Sequence, residues 1–392
     1  MRHPVGRRRA RQGDPNASTS PLTNVTFSLA RISPARGSAR GSAHSEVISV
    51  AVGQYPELVV VTGAGSGIGR ATAELFGRPG PGGGSFSGGA VVICADLDPA
   101  AATETALRIS QLGGRAEAHT MDVADPDAWE QFGAAVRDEH GVPDVVVNNA
   151  GIGMGGPFLE HSAEDWRRIV DVNLLGVVHG CRVFGRQLAQ RHREAPGRRG
   201  HLVNIASAAA FTPSPLLPAY VATKSAVLML SEALRPEMAA HNVGVSAICP
   251  GFIATNIYAA TRFVGLNPTE GTRRGGLAQD VFGRFAPGPE LVARRIQFAV
   301  RHDVPVLPVT PGAWATYGAY HFATPLLRLA LKVTNEPAMA GLERLGRRLL
   351  DGELFGGGLF GGSGLFGTSA SDDTADARTR SARRDSRESR TR

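Results

Sequence analysis

The chain reads as an α/β protein, a doubly wound parallel sheet with helices on both faces, set between two ends that carry no periodicity. Three observations point there. Short runs rich in Val, Ile and Ala alternate with longer segments of helical period from residue 58 to residue 248. The strand-like runs are continuously apolar rather than alternating, as strands buried on both faces are. The first of them runs straight into a glycine-rich loop that opens a helix.

Residues 58–61 form the first strand and 70–76 the helix that follows the loop. Residues 78–89, with Pro79, Pro81 and many glycines, make a flexible insertion before a second strand at 90–95. Helices at 99–112, 125–140, 163–191 and 218–240 then precede strands at 116–120, 144–148, 201–205 and 243–248. Parallel strands joined by helices give one doubly wound domain, placed at 56–310. Within it 252–287 is less regular, and a helix at 290–301 with a short strand at 305–309 closes the sheet. Residues 311–352 form an amphipathic helical extension. The leader 1–55 is rich in Ser, Pro, Gly and Arg, and 353–392 carries Leu-Phe-Gly repeats and then an Arg/Ser/Asp tail; both ends are expected to be disordered.

A hydrophobic content of 42% with 20% charged residues suits a substantial core. The formal charge of +7 is carried by the ends: the leader sets eight Arg against Asp14 and Glu46. The near-neutral body that remains argues against a nucleic-acid-binding domain. Cys94, Cys181 and Cys249 are widely spaced and form no CxxC pair or Cys/His cluster, so no metal is expected. They read as buried thiols of a reducing compartment, which makes the cytoplasm the expected location. No apolar run reaches the length of about 20 residues that spans a membrane. Basic residues set among aromatic ones across 313–350 fit weak association with a membrane surface.

The glycine loop is Thr62-Gly63-Ala64-Gly65-Ser66-Gly67-Ile68-Gly69. Between a strand and a helix it turns backbone N–H groups and a helix N-terminus toward a pyrophosphate. Gly63 permits the turn, Gly67 the close approach of phosphate, and Gly69 the packing of helix on sheet. Asp96 ends the second strand, where a carboxylate accepts both hydroxyls of an adenosine ribose and repels a 2′-phosphate. No basic residue stands at Ser66 or Leu97 to clamp such a phosphate. NAD is therefore favoured over NADP, with Asp98 capping the next helix. Asp122 suits either the adenine amino group or the cap of the helix after it.

Downstream, Ser207, Tyr220 and Lys224 form a second pattern, and Lys224 is one of only two lysines in an arginine-rich chain. A phenol with an unperturbed pKa of about 10 is a poor base near neutrality. A cation one helical turn away, on the same face, favours its phenolate. Ser207 suits a hydrogen bond to a substrate oxygen. Taken together, Thr62–Gly69, Asp122-Val123, Asn148-Asn149-Ala150-Gly151, Asn173, Ser207, Tyr220-x-x-x-Lys224 and Pro250-Gly251 with Thr255 resemble the short-chain dehydrogenases/reductases over about residues 58–309. That resemblance implies a Rossmann-type domain and hydride transfer between a nicotinamide and an alcohol/carbonyl pair. It implies Tyr220 as acid/base, Lys224 as its cation and holder of the nicotinamide ribose, and Asn173 as the seat of a water relay. It also implies cofactor contacts along Thr62–Gly69 and at Val123, Asn149, Ala150, Gly151, Pro250, Gly251 and Thr255, and a homodimer or homotetramer built through 163–191 and 218–240. Ala206 and Ala210 depart from the family pattern without touching the chemistry.

In this family 252–287 would be a lid over the substrate. Its aromatic and apolar residues, with those of the extension, suit a lipophilic alcohol or ketone; packing of an interface or of the core explains them equally well. The stretches 250–263 and 308–317 also resemble short-chain reductase modules that can be fused to epoxide-hydrolase-like hydrolases. A reading from another class is a non-catalytic, dinucleotide-binding regulatory protein on the same fold. Loss of Tyr220 or Lys224 would mark it, and both are present.

Overall fold

A computed structural model describes residues 56–80, 89–325 and Gly341. The expectations for the leader 1–55, for most of the 78–89 insertion, for the extension past residue 325 and for the 353–392 tail lie outside the described residues. The elements below all fall within one unit of the chain, Met1–Val333.

The chain builds β1 (Leu58–Thr62), α1 (Gly67–Gly77), β2 (Val91–Asp96), α2 (Pro99–Gln111), β3 (Arg115–Thr120), α3 (Pro126–His140) and β4 (Val145–Asn148). After a two-residue strand β5 (Met154–Gly155) come α4 (Ala163–Val170), α5 (Gly176–Glu194), β6 (Gly200–Ile205), α6 (Pro218–Ala239) and β7 (Val243–Cys249). Then follow β8 (Arg262–Phe263), α7 (Pro268–Phe285), α8 (Pro289–His302), β9 (Val306–Pro308) and α9 (Pro311–Phe322). Seven strands form one parallel sheet in the order β3-β2-β1-β4-β6-β7-β9. The chain winds outward from β1 to β3, then crosses back to β4. The order therefore reverses between β1 and β4, and a crevice opens at their carboxyl ends.

The continuous apolar runs are explained by the two faces. Leu58 and Val60 point to a core with Trp129, Phe132, Phe184 and Leu202, while Val59 and Val61 point to one with Phe76, Ile109, Ile248 and Ile296. Each fully buried Val or Leu contributes about 1.5–3 kcal/mol relative to exposure. Asp98 caps α2 by accepting the N–H groups of Ala100 and Ala101, and Asp125 caps α3 by accepting those of Asp127 and Ala128. The three cysteines are buried, and burial pushes each thiol up to about 12. Among the described residues no helix is long and apolar enough to cross a membrane.

Three expectations need correction. The first helix begins at Gly67, so the end of the glycine loop is already helical. The helix expected at 163–191 is broken by a π turn at Asp171–Leu175, which turns Asn173 fully into the interior. Such turns insert one residue into an α-helix and leave no mark in the apolar period. The irregular stretch 252–287 contains α7, and its β8 pairs in parallel with β5. Arg262 of β8 adds an ion pair to Asp165 at 3.0 Å, tying this segment to the start of α4.

At the amino end of the central strand β4, away from the crevice, Asp144 gathers donors from four residues. Its carboxylate accepts the N–H groups of Glu57 (2.8 Å) and Leu58 (3.3 Å), Arg191 Nη1 (2.9 Å) and Arg198 Nε (2.8 Å). Burial alone would raise its pKa, but the hydrogen bonds and the two guanidinium charges hold it below the usual carboxylate range. A depressed carboxylate contributes stability that is present above its unfolded pKa and lost as pH falls through the folded one. Asp144→Ala, which strands buried Arg191 without its counter-charge, should cost about 3–5 kcal/mol by denaturant titration at pH 7. The loss relative to the parent should shrink as the titration is repeated below pH 4, where the parent loses the same interaction.

Candidate active site

The glycine loop lies at the β1 side of the crevice and is held from below. Thr62 Oγ1 accepts the N–H groups of Asn149 (3.0 Å) and Ala150 (3.1 Å), and Asn149 Nδ2 donates to the carbonyls of Thr62 (2.9 Å) and Gly63 (3.2 Å). Asn149 thus braces the loop. Gly63 (φ +63°) and Gly67 (φ +50°) take the left-handed region that glycine adopts without strain. A Cβ on Gly69 would lie 2.0 Å from the Gly63 carbonyl oxygen, so no side chain fits there. Thr255 borders Gly67, its Cγ2 3.3 Å from where a Cβ would stand.

Asp96 Oδ2 accepts the Gly65 N–H (2.8 Å) and Oδ1 that of Asp98 (3.0 Å), which fixes the carboxylate beside the loop. Leu97 next to it is exposed, and Ser66 is exposed on the loop. Asp122 Oδ1 accepts the Ala124 N–H, so it closes a local turn and leaves the cap of α3 to Asp125. Val123 is buried, and its carbonyl accepts the Trp129 indole N–H. Two residues that pattern reading passed over also hold the loop: Thr105 Oγ1 donates to the Ala64 carbonyl (2.9 Å), and Arg70 Nη2 to that of Gly65. The Thr105 contact comes from the neighbouring helix α2 and has no sequence signal. A bare glycine cradle, a helix N-terminus and a carboxylate at the end of β2 together fit a dinucleotide.

On the β4 side Gly151 closes the floor. A Cβ there would come 3.2 Å from Asn173 Oδ1 and 3.5 Å from Lys224 Nζ, so the two side chains converge tightly on this backbone. The Asn173 amide is committed to Ile152: Oδ1 accepts its N–H (2.8 Å) and Nδ2 donates to its carbonyl (3.0 Å). It fixes the strand end beside Lys224. Thr223, also unmarked by pattern, sits beneath, 3.5 Å from Asn173 Nδ2.

Ser207 follows β6, and its Oγ accepts the Ala209 N–H (3.1 Å) at the head of a 3₁₀ turn, Ala208–Phe211. With that lone pair engaged, the hydroxyl proton is left to donate. Tyr220 and Lys224 lie one turn apart at the start of α6, whose first residue is Pro218. The Ser207 hydroxyl stands near enough to the Tyr220 phenol to work against the effect of burial on it. Lys224 Nζ donates to the Ile205 carbonyl (2.8 Å) and stands 5.9 Å from the centre of the Tyr220 ring. Burial pushes Lys224 down to about 8 and raises Tyr220, the latter opposed by Ser207. Pro250 and Gly251 border this group, and the Pro250 carbonyl accepts the Ala208 N–H (2.8 Å). The arrangement holds a phenol as a proton carrier, a hydroxyl beside it as donor to an oxygen, and a buried cation behind it. Tyr258, from the 252–287 stretch, accepts the Ile253 N–H at its hydroxyl (3.1 Å), and burial pushes the phenol up to about 12.

Residues 57–262 match the short chain dehydrogenase family model. The chain is 45% identical over 263 residues to "Probable oxidoreductase EphD" of Mycobacterium tuberculosis, which covers 67% of this chain but 42% of that protein, so the chain spans less than half the length of this relative. It is 35% identical over 201 residues to 3beta-hydroxysteroid dehydrogenase 1 of Eggerthella lenta, covering 51% of this chain and 72% of the relative. A short-chain dehydrogenase/reductase from Burkholderia phymatum, solved in complex with NAD, superposes with a TM-score of 0.60 at 30% identity, covering 70% of this chain and 96% of that one. The glycine cradle, the Tyr220–Lys224 pair and the match over most of the sheet agree: this chain belongs to the short-chain dehydrogenase/reductase family.

Proposed function

We propose that the protein is an NAD-dependent oxidoreductase acting on a bulky, lipophilic secondary alcohol or the matching ketone. The observation that carries this reading is the convergence of Ser207, Tyr220 and Lys224 at the switch point, opposite the glycine loop and Asp96. A bound nicotinamide supplies the acceptor or donor of a hydrogen with its electron pair. The chain's own residues handle the proton and the charge. In oxidation the Tyr220 oxygen takes the alcohol O–H proton as the C–H bond breaks and C=O forms. In reduction Tyr220 gives that proton back to the carbonyl oxygen. Ser207 donates to the same oxygen and stabilises its developing charge. Lys224 lowers the cost of the Tyr220 phenolate. Asn173 holds the wall at Ile152, and because it and Lys224 both border Gly151, a water between them is the proposed route for proton exchange with solvent.

The lipophilic substrate class is supported by the exposed Phe252, which follows the Pro250-Gly251 loop, and by the relative named as a 3beta-hydroxysteroid dehydrogenase. The cofactor choice rests on Asp96, whose carboxylate accepts ribose hydroxyls and repels a 2′-phosphate.

Tyr220→Phe should bind NADH as the parent does, read by fluorescence, while turnover of a steroid-like or long-chain ketone falls about 10²-fold or more. Near-parental turnover would remove the mechanism. The parent should prefer NADH over NADPH, and Asp96→Ala should cut that preference roughly tenfold, about 1.4 kcal/mol, by relieving a like-charge contact; an unchanged ratio would remove Asp96 as selector. Since kcat/KM reports the free enzyme, its value for the reduction should fall as pH rises past about 8, where Lys224 loses its charge and Tyr220 its partner. A flat profile from pH 7 to 9.5 would contradict that role.

A further inference from the structure

We propose that α9 is a working part of the catalytic centre, and that Tyr317 is a positioning residue which, through Phe211, sets the hydroxyl of Ser207. The proposal rests on the reading of Ser207 and Tyr220 as an acid/base pair. α9 lies beyond the matched residues 57–262, at the end of the chain's doubly wound unit.

Ser207 is held by a single short turn. Its Oγ takes the Ala209 N–H, its carbonyl takes the Ala210 N–H, and the turn ends at Phe211. A turn of this length has little stability of its own, so its anchors decide where the hydroxyl stands. Two of them come from the domain already described. The Ala208 N–H reaches the Pro250 carbonyl at 2.8 Å, and Ser225 Oγ donates to the Ala210 carbonyl at 3.2 Å. The third is Phe211, which is fully buried and meets the ring of Tyr317 edge-on, with centroids 5.1 Å apart and planes at 79°. An edge-to-face pair of this kind adds attraction beyond area burial and fixes ring orientation.

α9 is itself locked to the active-site strands. Thr310 caps it by accepting the Ala313 N–H, and the Val309 N–H donates to the Cys249 carbonyl. A Cβ on Gly251 would lie 2.3 Å from Thr310 Oγ1, so the helix start and the Pro250-Gly251 loop fit against each other only because Gly251 is bare. Tyr317 meets His321 at 4.2 Å in a tilted arrangement and Trp314 edge-on at 5.9 Å, which orients its ring within the helix. Its hydroxyl makes no hydrogen bond among the described residues, so the ring edge is what acts. The helix thus clamps both loops that frame the reacting oxygen, one at Ser207 and the other at Gly251.

The test uses the full chain with Tyr317→Leu, which keeps apolar bulk and helix propensity, and Tyr317→Phe, which keeps the ring. Tyr220 is followed by NMR of protein labelled at tyrosine Cζ, its signal assigned with Tyr220→Phe among the five tyrosines. This readout needs no turnover. Loosening Ser207 weakens the contact that opposes the upward shift of Tyr220. Tyr317→Leu should therefore move the Tyr220 titration upward and lower kcat tenfold or more, with the Kd for NADH within about twofold of the parent. Tyr317→Phe should restore both. A parental titration and kcat in Tyr317→Leu would overturn the proposal. So would equal losses in Leu and Phe variants, or a loss of NADH affinity parallel to the loss of kcat, which marks general collapse. Failure of the acid/base reading shows separately, as parental turnover in Tyr220→Phe.

Discussion

At the carboxyl ends of β1 and β4 the sheet reverses its winding, and Thr62 and Asn149 hold the two strand ends together there. One hydroxyl and one carboxamide make the four hydrogen bonds that join the glycine loop to the Asn149-Ala150-Gly151 segment. Everything the site needs is referred to this clamp. It sets the loop over the N-terminus of α1, so the bare glycines face the crevice. It also sets Gly151, on whose far side Asn173 and Lys224 converge. A parallel sheet opens such a crevice wherever its order reverses; the clamp decides how wide it stands and which side chains meet across it.

Lys224 carries the main electrostatic burden. Taking an ammonium group out of water is costly, and here it is partly offset by one carbonyl, that of Ile205. The remainder appears as a pKa near 8. The folded value lies below the unfolded one, so the buried cation lowers stability at neutral pH, and that penalty is relieved as pH rises through the window between the two values. The same strain gives the group its use. A cation with poor solvation interacts strongly with any negative charge that forms nearby, and in the proposed mechanism the Tyr220 oxygen is where one forms. Stability is given up at the position the proposed chemistry requires, while the compensation lies elsewhere, in the two apolar cores and in the Asp144 cluster at the amino end of β4.

The helices that carry this machinery are fixed at their ends rather than along their length. Asp98, Asp125 and Ser162 cap α2, α3 and α4, and Thr310 caps α9. Between them, packing dominates: Trp129, Phe132 and Phe184 meet edge to face across α3 and α5. The tie of β8 to β5, with Arg262 on Asp165, brings the 252–287 stretch against the body and so bounds the space in front of Tyr220. Position of the reacting groups therefore depends on contacts between segments far apart in the chain.

That dependence separates what the sequence by itself determined from what only tertiary structure decided. Continuous Val-rich runs separated by helical segments determined the parallel sheet, because strands buried on both faces leave no polar alternation. The glycine loop, Asp96, Ser207 and the Tyr220–Lys224 spacing were legible because each acts through local geometry: a turn, a strand end, one helical turn. The π turn at Asn173 was not legible, since one inserted residue leaves the apolar period nearly unchanged. Nor were Thr105 under the loop, the Asn148–Asn204–Ser231 hydrogen-bond chain in the interior, or the grip of Tyr317 on Phe211. In each of these the partner lies on another element. Which polar or aromatic side chains meet there is settled by the packing of whole helices against the sheet, and no local pattern carries that information.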